Sequence, residues 1–380
     1  MVLGLQPGKR MRQATLCLLV VCLLSMPKDT CAYGVLSHEA IVDGAWDKSI
    51  APLLRAKFHP SDEALRDARA YAYGGCLIQD LGYYPLSSRT FGDLTHYVRS
   101  GDFVVSLLTQ AADVNEYAFA LGALAHYSAD NTGHPGAVNR AVPMIYPKLR
   151  AKYGSVVTYE DNPAAHLKTE FGFDVVQIAR GAYLPTTYHS FIGFQISKPI
   201  LQRAFLATYG LELKDVFGNF DLAIGTFRYS VGTMIPQMTK VAWQTKEKEI
   251  TQLTPTATRE QFLFALSRPV YEKDWGTTYE RPGIRSKILA IVLRVIPKVG
   301  PFSALAFKLP TPEAERLFID SFETALVRYR GYLSTLSNGR ALSLANLNFD
   351  TGDPVRPGEY RLADAAYARF MEKVRQRAQR

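Results

Sequence analysis

EYAFALGALAHYSAD, residues 116–130, decides how this chain is read. It is rich in alanine, almost free of charge and interrupted by Gly122, the composition of a helix packed on most of its sides. Near its end stand His126 and Asp130, four residues apart, so on a helix both side chains point the same way one turn from each other. One helix can thus offer two ligands to one ion. A carboxylate in so apolar a helix is costly unless a cation or hydrogen bonds compensate it.

Outward from this stretch the pattern stays helical through about residue 250, with apolar residues at three- and four-residue spacing and little strict alternation. Val35, His38, Ile41, Val42, Ala45 and Trp46 form one such stripe, which places His38 on a buried face. Pro60 to Glu63 mark a helix start, and that helix runs to Gly74 and Gly75. LIQDLGYYP then breaks on Gly82 and Pro85, leaving Asp80 at or just past a helix end. Helix resumes in FGDLTHYVRSGDFVVSLLTQA, with His96 near its beginning. The central helix is expected to stop beyond His134, because Gly133 and Pro135 disfavour continuation. A polar loop, MIYPKLRAKYGSVVTYEDNP, is expected before helix returns at Ala164.

Between about 245 and 310 the character changes. RSKILAIVLRVIPKVGPFSALAFKLP is strongly apolar, yet Lys287, Arg294, Lys298 and Lys308 punctuate it. It reads either as kinked core helices or as an insertion forming a membrane-facing lid. Residues 311–380 read as C-terminal helices. The expected fold is all-α, a single multi-helix domain over residues 33–380.

The first 32 residues read differently. Lys9, Arg10 and Arg12 precede ATLCLLVVCLL, which leads into SMPKDTCA, the plan of a secretory signal peptide cut between Ala32 and Tyr33. The apolar run has about half of the roughly 20 residues that a membrane-crossing helix needs. Cleavage would remove three of the four cysteines and leave Cys76 alone. With no intramolecular disulfide to form, an exported protein would rely on a large core or on bound metal. The net charge would fall from +9 to about +6, suiting an anionic surface, nucleic acid or acidic lipid, or serving solubility alone.

The seven histidines are the most informative residues. HLKTE pairs His166 with Glu170 at the same spacing as His126 and Asp130. His59 and Glu63 match it too, but Pro60 puts His59 ahead of its helix, so that match is accidental. His134 lies one turn beyond Asp130. Together with Asp80, His96 and His38 these side chains exceed what one zinc takes, about four ligands, so a multi-metal site is the economical account.

In this ordered set the chain resembles the zinc-dependent phospholipases C, all-helical exported enzymes that hold three zinc ions. In that family the mature chain opens with an aromatic residue, usually Trp, followed by Gly. Its free amine and carbonyl bind zinc together with a nearby histidine. Tyr33, Gly34 and His38 stand in those places. Asp80, His96, His126 with Asp130, His134, and His166 with Glu170 follow in the family's order. The resemblance implies one zinc on Asp80, His96, His126 and Asp130, and a second on His134, His166 and Glu170. The third would lie on Tyr33 and His38, with Asp130 bridging back to the first. It covers about residues 33–180. Two features depart from the family: Tyr33 replaces Trp, and the gap from Asp130 to His134 is shorter than in well-known members.

Zinc lowers the pKa of a bound water toward about 7, so hydroxide attack on phosphorus at neutral pH is the implied chemistry. Asp80 is either a ligand alone or also the carboxylate that deprotonates the attacking water. Tyr83, Tyr84 and Phe91 are either core or the lining of a head-group pocket, where a tyrosine face can hold a quaternary ammonium. The implied substrate is a phospholipid at a membrane surface, with no dedicated nucleic-acid partner. Two alternatives share the sequence pattern. One is a single-strand nuclease, whose last pair is normally His-x-x-x-Asp rather than His166 and Glu170; the other is a non-catalytic zinc-stapled membrane binder.

Overall fold

A computed structural model describes residues 34–183, 195–262 and 306–379. The leader, Tyr33 and the apolar cationic stretch from 263 to 305 lie outside the described residues, and with them most of the segment expected as a lid. Among the described residues the fold is all-α; the nearest approach to a sheet is one isolated bridge between Leu347 and Pro354. None of the described helices is long and apolar enough to cross a membrane.

The described residues begin with α1 (Val35–Ala45), a π turn (Trp46–Ile50), α2 (Ala51–Phe58) and α3 (Asp62–Cys76). A 3-10 turn over Gln79–Tyr83 leads to α4 (Arg89–Tyr97), α5 (Ser100–Gln110) and the central α6 (Val114–Gly133). Then come α7 (Asn139–Ile145), α8 (Pro147–Tyr153) and α9 (Pro163–Ala179). After the first undescribed stretch follow α10 (Lys198–Tyr209), α11 (Leu213–Val216), α12 (Phe220–Tyr229) and α13 (Ile235–Leu253). The long α14 (Pro312–Ser337) and α15 (Arg361–Ala378) are the last of the described helices. Many starts are written in the sequence: Ser61, Ser88, Asp113, Asn162, Asn219 and Thr311 each accept a hydrogen bond from a first-turn amide, which satisfies an otherwise orphaned donor.

The core is built around α6, whose residues from Glu116 to Gly133 are all buried. Its closest neighbour is α3, and the contact is backbone on backbone. A methyl group on Gly122 would fall 2.0 Å from the carbonyl oxygen of Ala72, and one on Gly75 would fall 1.9 Å from that of Phe119. Only glycine at both places lets the two helices meet so closely. The expected stripe on α1 is buried from Val35 through Trp46 at its six positions.

Three local expectations are corrected. The helix does not end after His134. It passes through a π turn over His134–Val138 into α7, with the amide of Asn139 donating to the carbonyl of His134. The wider turn absorbs Pro135, which has no amide to give to a regular ladder. The supposed polar loop contains α8, begun by Pro147 and closed by Gly154 at φ 90°. His96 sits in the last turn of α4, not near the start of a longer helix, because Arg99 adopts a left-handed conformation and separates α4 from α5.

Candidate metal centre

α3, the turn after it, α4, α6 and α1 converge on one point. Gln79 donates to the carbonyl of Ala123 at 3.0 Å, and Thr95 to the carbonyl of Gln79 at 3.2 Å. These bonds pin the turn carrying Asp80 between α6 and α4. Asp80, His38, His126 and Asp130 are 0 % exposed, and His96 is 2 %.

Asp130 is the hub. Its Oδ1 lies 3.3 Å from His38 Nε2, and its Oδ2 lies 3.0 Å from His126 Nε2 and 3.5 Å from His96 Nε2. Asp80 Oδ1 is 3.4 Å from the same His96 nitrogen. The imidazoles of His38 and His126 stack with centroids 4.3 Å apart. Beyond the π turn a second group assembles: His166 Nδ1 is 3.1 Å from Glu170 Oε1, and the rings of His134 and His166 meet edge to face at 5.4 Å.

The hydrogen bonds behind these histidines fix which nitrogen carries a proton. His126 Nδ1 lies 2.9 Å from the carbonyl of Cys76, and His96 Nδ1 lies 2.8 Å from that of Gly92. His166 Nε2 faces Asn139 Oδ1 at 2.8 Å and the carbonyl of Val157 at 3.2 Å. Each of these oxygens can only accept, so each of these nitrogens is the donor, and a neutral ring turns its lone pair to the other side. On that other side, in all three cases, stands a carboxylate oxygen. Two acceptors facing each other at such distances require a proton or a cation between them.

A cation fits. Tetrahedral zinc with bonds near 2.0–2.1 Å holds its ligand atoms roughly 3.3 Å apart, and the separations here run from 3.0 to 3.5 Å. Among the described residues, three sets bring their donor atoms within 4.8 Å of one another: His38, Asp80 and His126; His96, His126 and Asp130; His134, His166 and Glu170. Both oxygens of Asp80 and of Asp130, Nε2 of His134 and Oε2 of Glu170 are buried with no hydrogen-bond partner.

The electrostatics express the same need. Burial pulls His96 down, but Asp130 and Asp80 outweigh it and raise its pKa to about 10. Burial, with His126 beside it, drives His38 down to about 4. Burial and then His134 drive His166 down to about 3. Burial opposes ionisation of Asp130, yet His126 and His38 hold it well below the usual carboxylate range. Burial, followed by the charges of Asp130, Asp80 and Asp350, pushes Glu170 well up. With only protons to share, the cluster splits into groups forced to charge and groups forced to stay neutral.

All eight described candidates, His38, Asp80, His96, His126, Asp130, His134, His166 and Glu170, are thus brought together. The partition differs in detail from the one the resemblance implies: Asp80 lies with His38 and His126 as well as near His96. Tyr33 lies outside the described residues. His59, the histidine set aside, caps the C-terminus of α2. Of the aromatic candidates, Phe91 is core against Phe205 and Phe217, and Tyr84 packs on Phe227. Tyr83 alone of the three stands beside the centre, its ring 5.1 Å from that of His96. Asn139 and Asp350, which back His166 and His134, were not foreseen. Neither has a spacing or composition signal.

Residues 31–219 match the family model described as zinc dependent phospholipase C. No curated protein and no solved structure matches the chain significantly. The matched span includes every one of the eight gathered side chains.

Proposed function

Since the chain belongs, through residues 31–219, to the zinc-dependent phospholipase C family, we propose that it is an exported phosphodiesterase holding three zinc ions and cleaving a membrane phospholipid to diacylglycerol and a phosphorylated head group. The observation that carries this reading is the inward-facing set of lone pairs and carboxylates around Asp130, sealed from water and backed by carbonyl acceptors.

Bound zinc supplies Lewis acidity, making water acidic enough to ionise near neutral pH and drawing charge from phosphate oxygens. Asp80, His96, His126 and Asp130 would hold one ion, and His134, His166 and Glu170 another. His38 would take the third together with the carbonyl of Tyr33 and its amine, which would be freed by removal of the leader after Ala32. Asp80 has a further task. It sits in a short turn instead of a helix, and neither of its oxygens is tied by a hydrogen bond, so it can receive the proton of the attacking water. As water oxygen adds to phosphorus, the bond from phosphorus to the glycerol oxygen breaks, and that oxygen takes up a proton to leave as the hydroxyl of diacylglycerol. The glutamate at position 170 favours a lipid over a single-stranded nucleic acid, and the positive charge of the chain suits an acidic membrane surface outside the cytoplasm.

The test is to incubate the zinc-loaded mature protein with mixed phospholipid vesicles and, separately, with single-stranded DNA, and to identify the products. Diacylglycerol with a phosphorylated head group is expected. Mononucleotides without diacylglycerol would overturn the lipid assignment. Turnover of neither, with Asp80→Asn changing metal content alone, would overturn the enzymatic one.

A further inference from the structure

The connection between α14 and α15 lies outside the matched span, yet it touches the centre repeatedly. The amide of Phe349 donates to the carbonyl of His96 at 3.2 Å, and the Phe349 ring packs 5.3 Å from His96 and 6.0 Å from His126. Ser100 and Tyr127 donate to the carbonyls of Leu347 and Ala345. Next in this strap comes Asp350, 2 % exposed. Its Oδ1 lies 3.0 Å from His134 Nδ1, while Oδ2 accepts from Tyr97 at 2.7 Å and from Tyr360. Its backbone carbonyl accepts from Asn139 Nδ2 at 2.7 Å. The same Asn139 turns its Oδ1 to His166 Nε2 at 2.8 Å.

One residue therefore reaches both histidines of the second group, His134 through its carboxylate and His166 through Asn139. Two tyrosine hydroxyls occupy Oδ2, so that oxygen has no room for an ion, and Oδ1 claims His134 Nδ1, which leaves Nε2 as the nitrogen with a lone pair to offer. This is the arrangement in which a carboxylate behind a ligating histidine sets its tautomer and ring angle. We propose that Asp350 is a positioning residue of the His134, His166 and Glu170 site, and that the strap 344–353 is an integral part of the metal centre. The inference rests on the metal-holding half of the proposed function and is independent of the substrate.

The test measures zinc affinity of the full mature chain by competition with a chromogenic chelator, alongside zinc stoichiometry. Asp350→Leu removes the acceptor, Asp350→Asn keeps a weaker one, and Tyr360→Phe loosens the carboxylate without altering it. One zinc should weaken about 10- to 100-fold in Asp350→Leu, less in Asp350→Asn and least in Tyr360→Phe, while the remaining zinc stays bound. Nitrogen NMR of the zinc-loaded protein should report His134 protonated on Nδ1 in the parent and a mixed tautomer in Asp350→Leu. Affinities within twofold of the parent in all three variants, or an unchanged tautomer, would overturn the role of Asp350. A parent chain that binds no zinc would instead remove the proposed function and this inference together.

Discussion

His126 and Asp130, one turn apart on α6, meet with Nε2 and Oδ2 separated by 3.0 Å, and both atoms are acceptors as long as His126 donates through Nδ1 to Cys76. Asp130 also reaches His38 and His96, so its charge is shared by three imidazoles. Asp130→Asn keeps the shape and removes the charge. The variant should lose at least one zinc by elemental analysis, and lipid turnover should fall at least about 100-fold, since disturbing a residue behind a ligand already costs 10- to 100-fold. Parent-like zinc content would show that Asp130 is not a ligand.

A second prediction concerns how the helices deliver those side chains. Ordinarily Gly→Ala in a helix gains about 1 kcal/mol in propensity. At Gly122 the added methyl would lie 2.0 Å from the carbonyl oxygen of Ala72, a backbone atom that no rotamer change can move. Overpacking should win, and Gly122→Ala should lower stability by about 3 kcal/mol in urea denaturation. Forcing α6 from α3 also draws His126 off the Cys76 carbonyl, so zinc affinity should fall with it. A variant as stable as the parent would mean that the two backbones do not meet.

The contrast between α6 and the strap shows what a sequence discloses. The His126 and Asp130 pair, and the His166 and Glu170 pair, were legible because a helix turns a spacing of four into a shared face. The rest of the ordered set was legible because its members follow one another within one half of the chain. The π turn at His134 was not, since Pro135 signals an end unless the flanking helices are packed well enough to carry the ladder past it. Asp350 was illegible for a different reason. It meets His134 across more than two hundred residues of chain, through a loop whose path is set by Phe349, Ser100 and Tyr127 and not by any local periodicity.

A third prediction comes from Asp174 on α9, which joins that helix to α1. It accepts from the amide of Leu36 at 3.2 Å, from the hydroxyl of Ser37 at 2.8 Å and from Tyr183 at 3.0 Å. Burial raises its pKa from 3.8 to about 7, and those hydrogen bonds only partly offset the rise. The folded state therefore binds the proton more tightly than the unfolded one. The stabilisation is complete below about pH 4 and is lost as pH climbs to about 7, up to about 4 kcal/mol in all. Asp174→Asn cannot titrate. The stability of the parent minus that of the variant, measured at intervals from pH 4 to 7.5, should decline across the window. A flat difference would place the Asp174 carboxyl in an ordinary, solvated environment.

Metal removal tests the centre as a whole. In the metal-free chain Asp80, Asp130 and Glu170 remain buried with oxygens that have no hydrogen-bond partner, each such orphan costing about 1–3 kcal/mol. Zinc binds the folded arrangement and not the dispersed ligands of the unfolded chain, so its binding energy adds to stability, by about 4 kcal/mol at a thousandfold excess over Kd. Dialysis against a strong chelator should therefore lower Tm by roughly 5 °C or more, given that an unfolding entropy of about 2.1 cal/mol/K per residue makes about 1 kcal/mol worth about 1.4 °C in a domain of about 350 residues. Adding back zinc, but not magnesium, should restore it, because magnesium prefers oxygen ligands and dehydrates reluctantly, whereas five of these eight side chains are imidazoles. An unchanged Tm after complete chelation would mean that the histidines and carboxylates satisfy one another through protons alone.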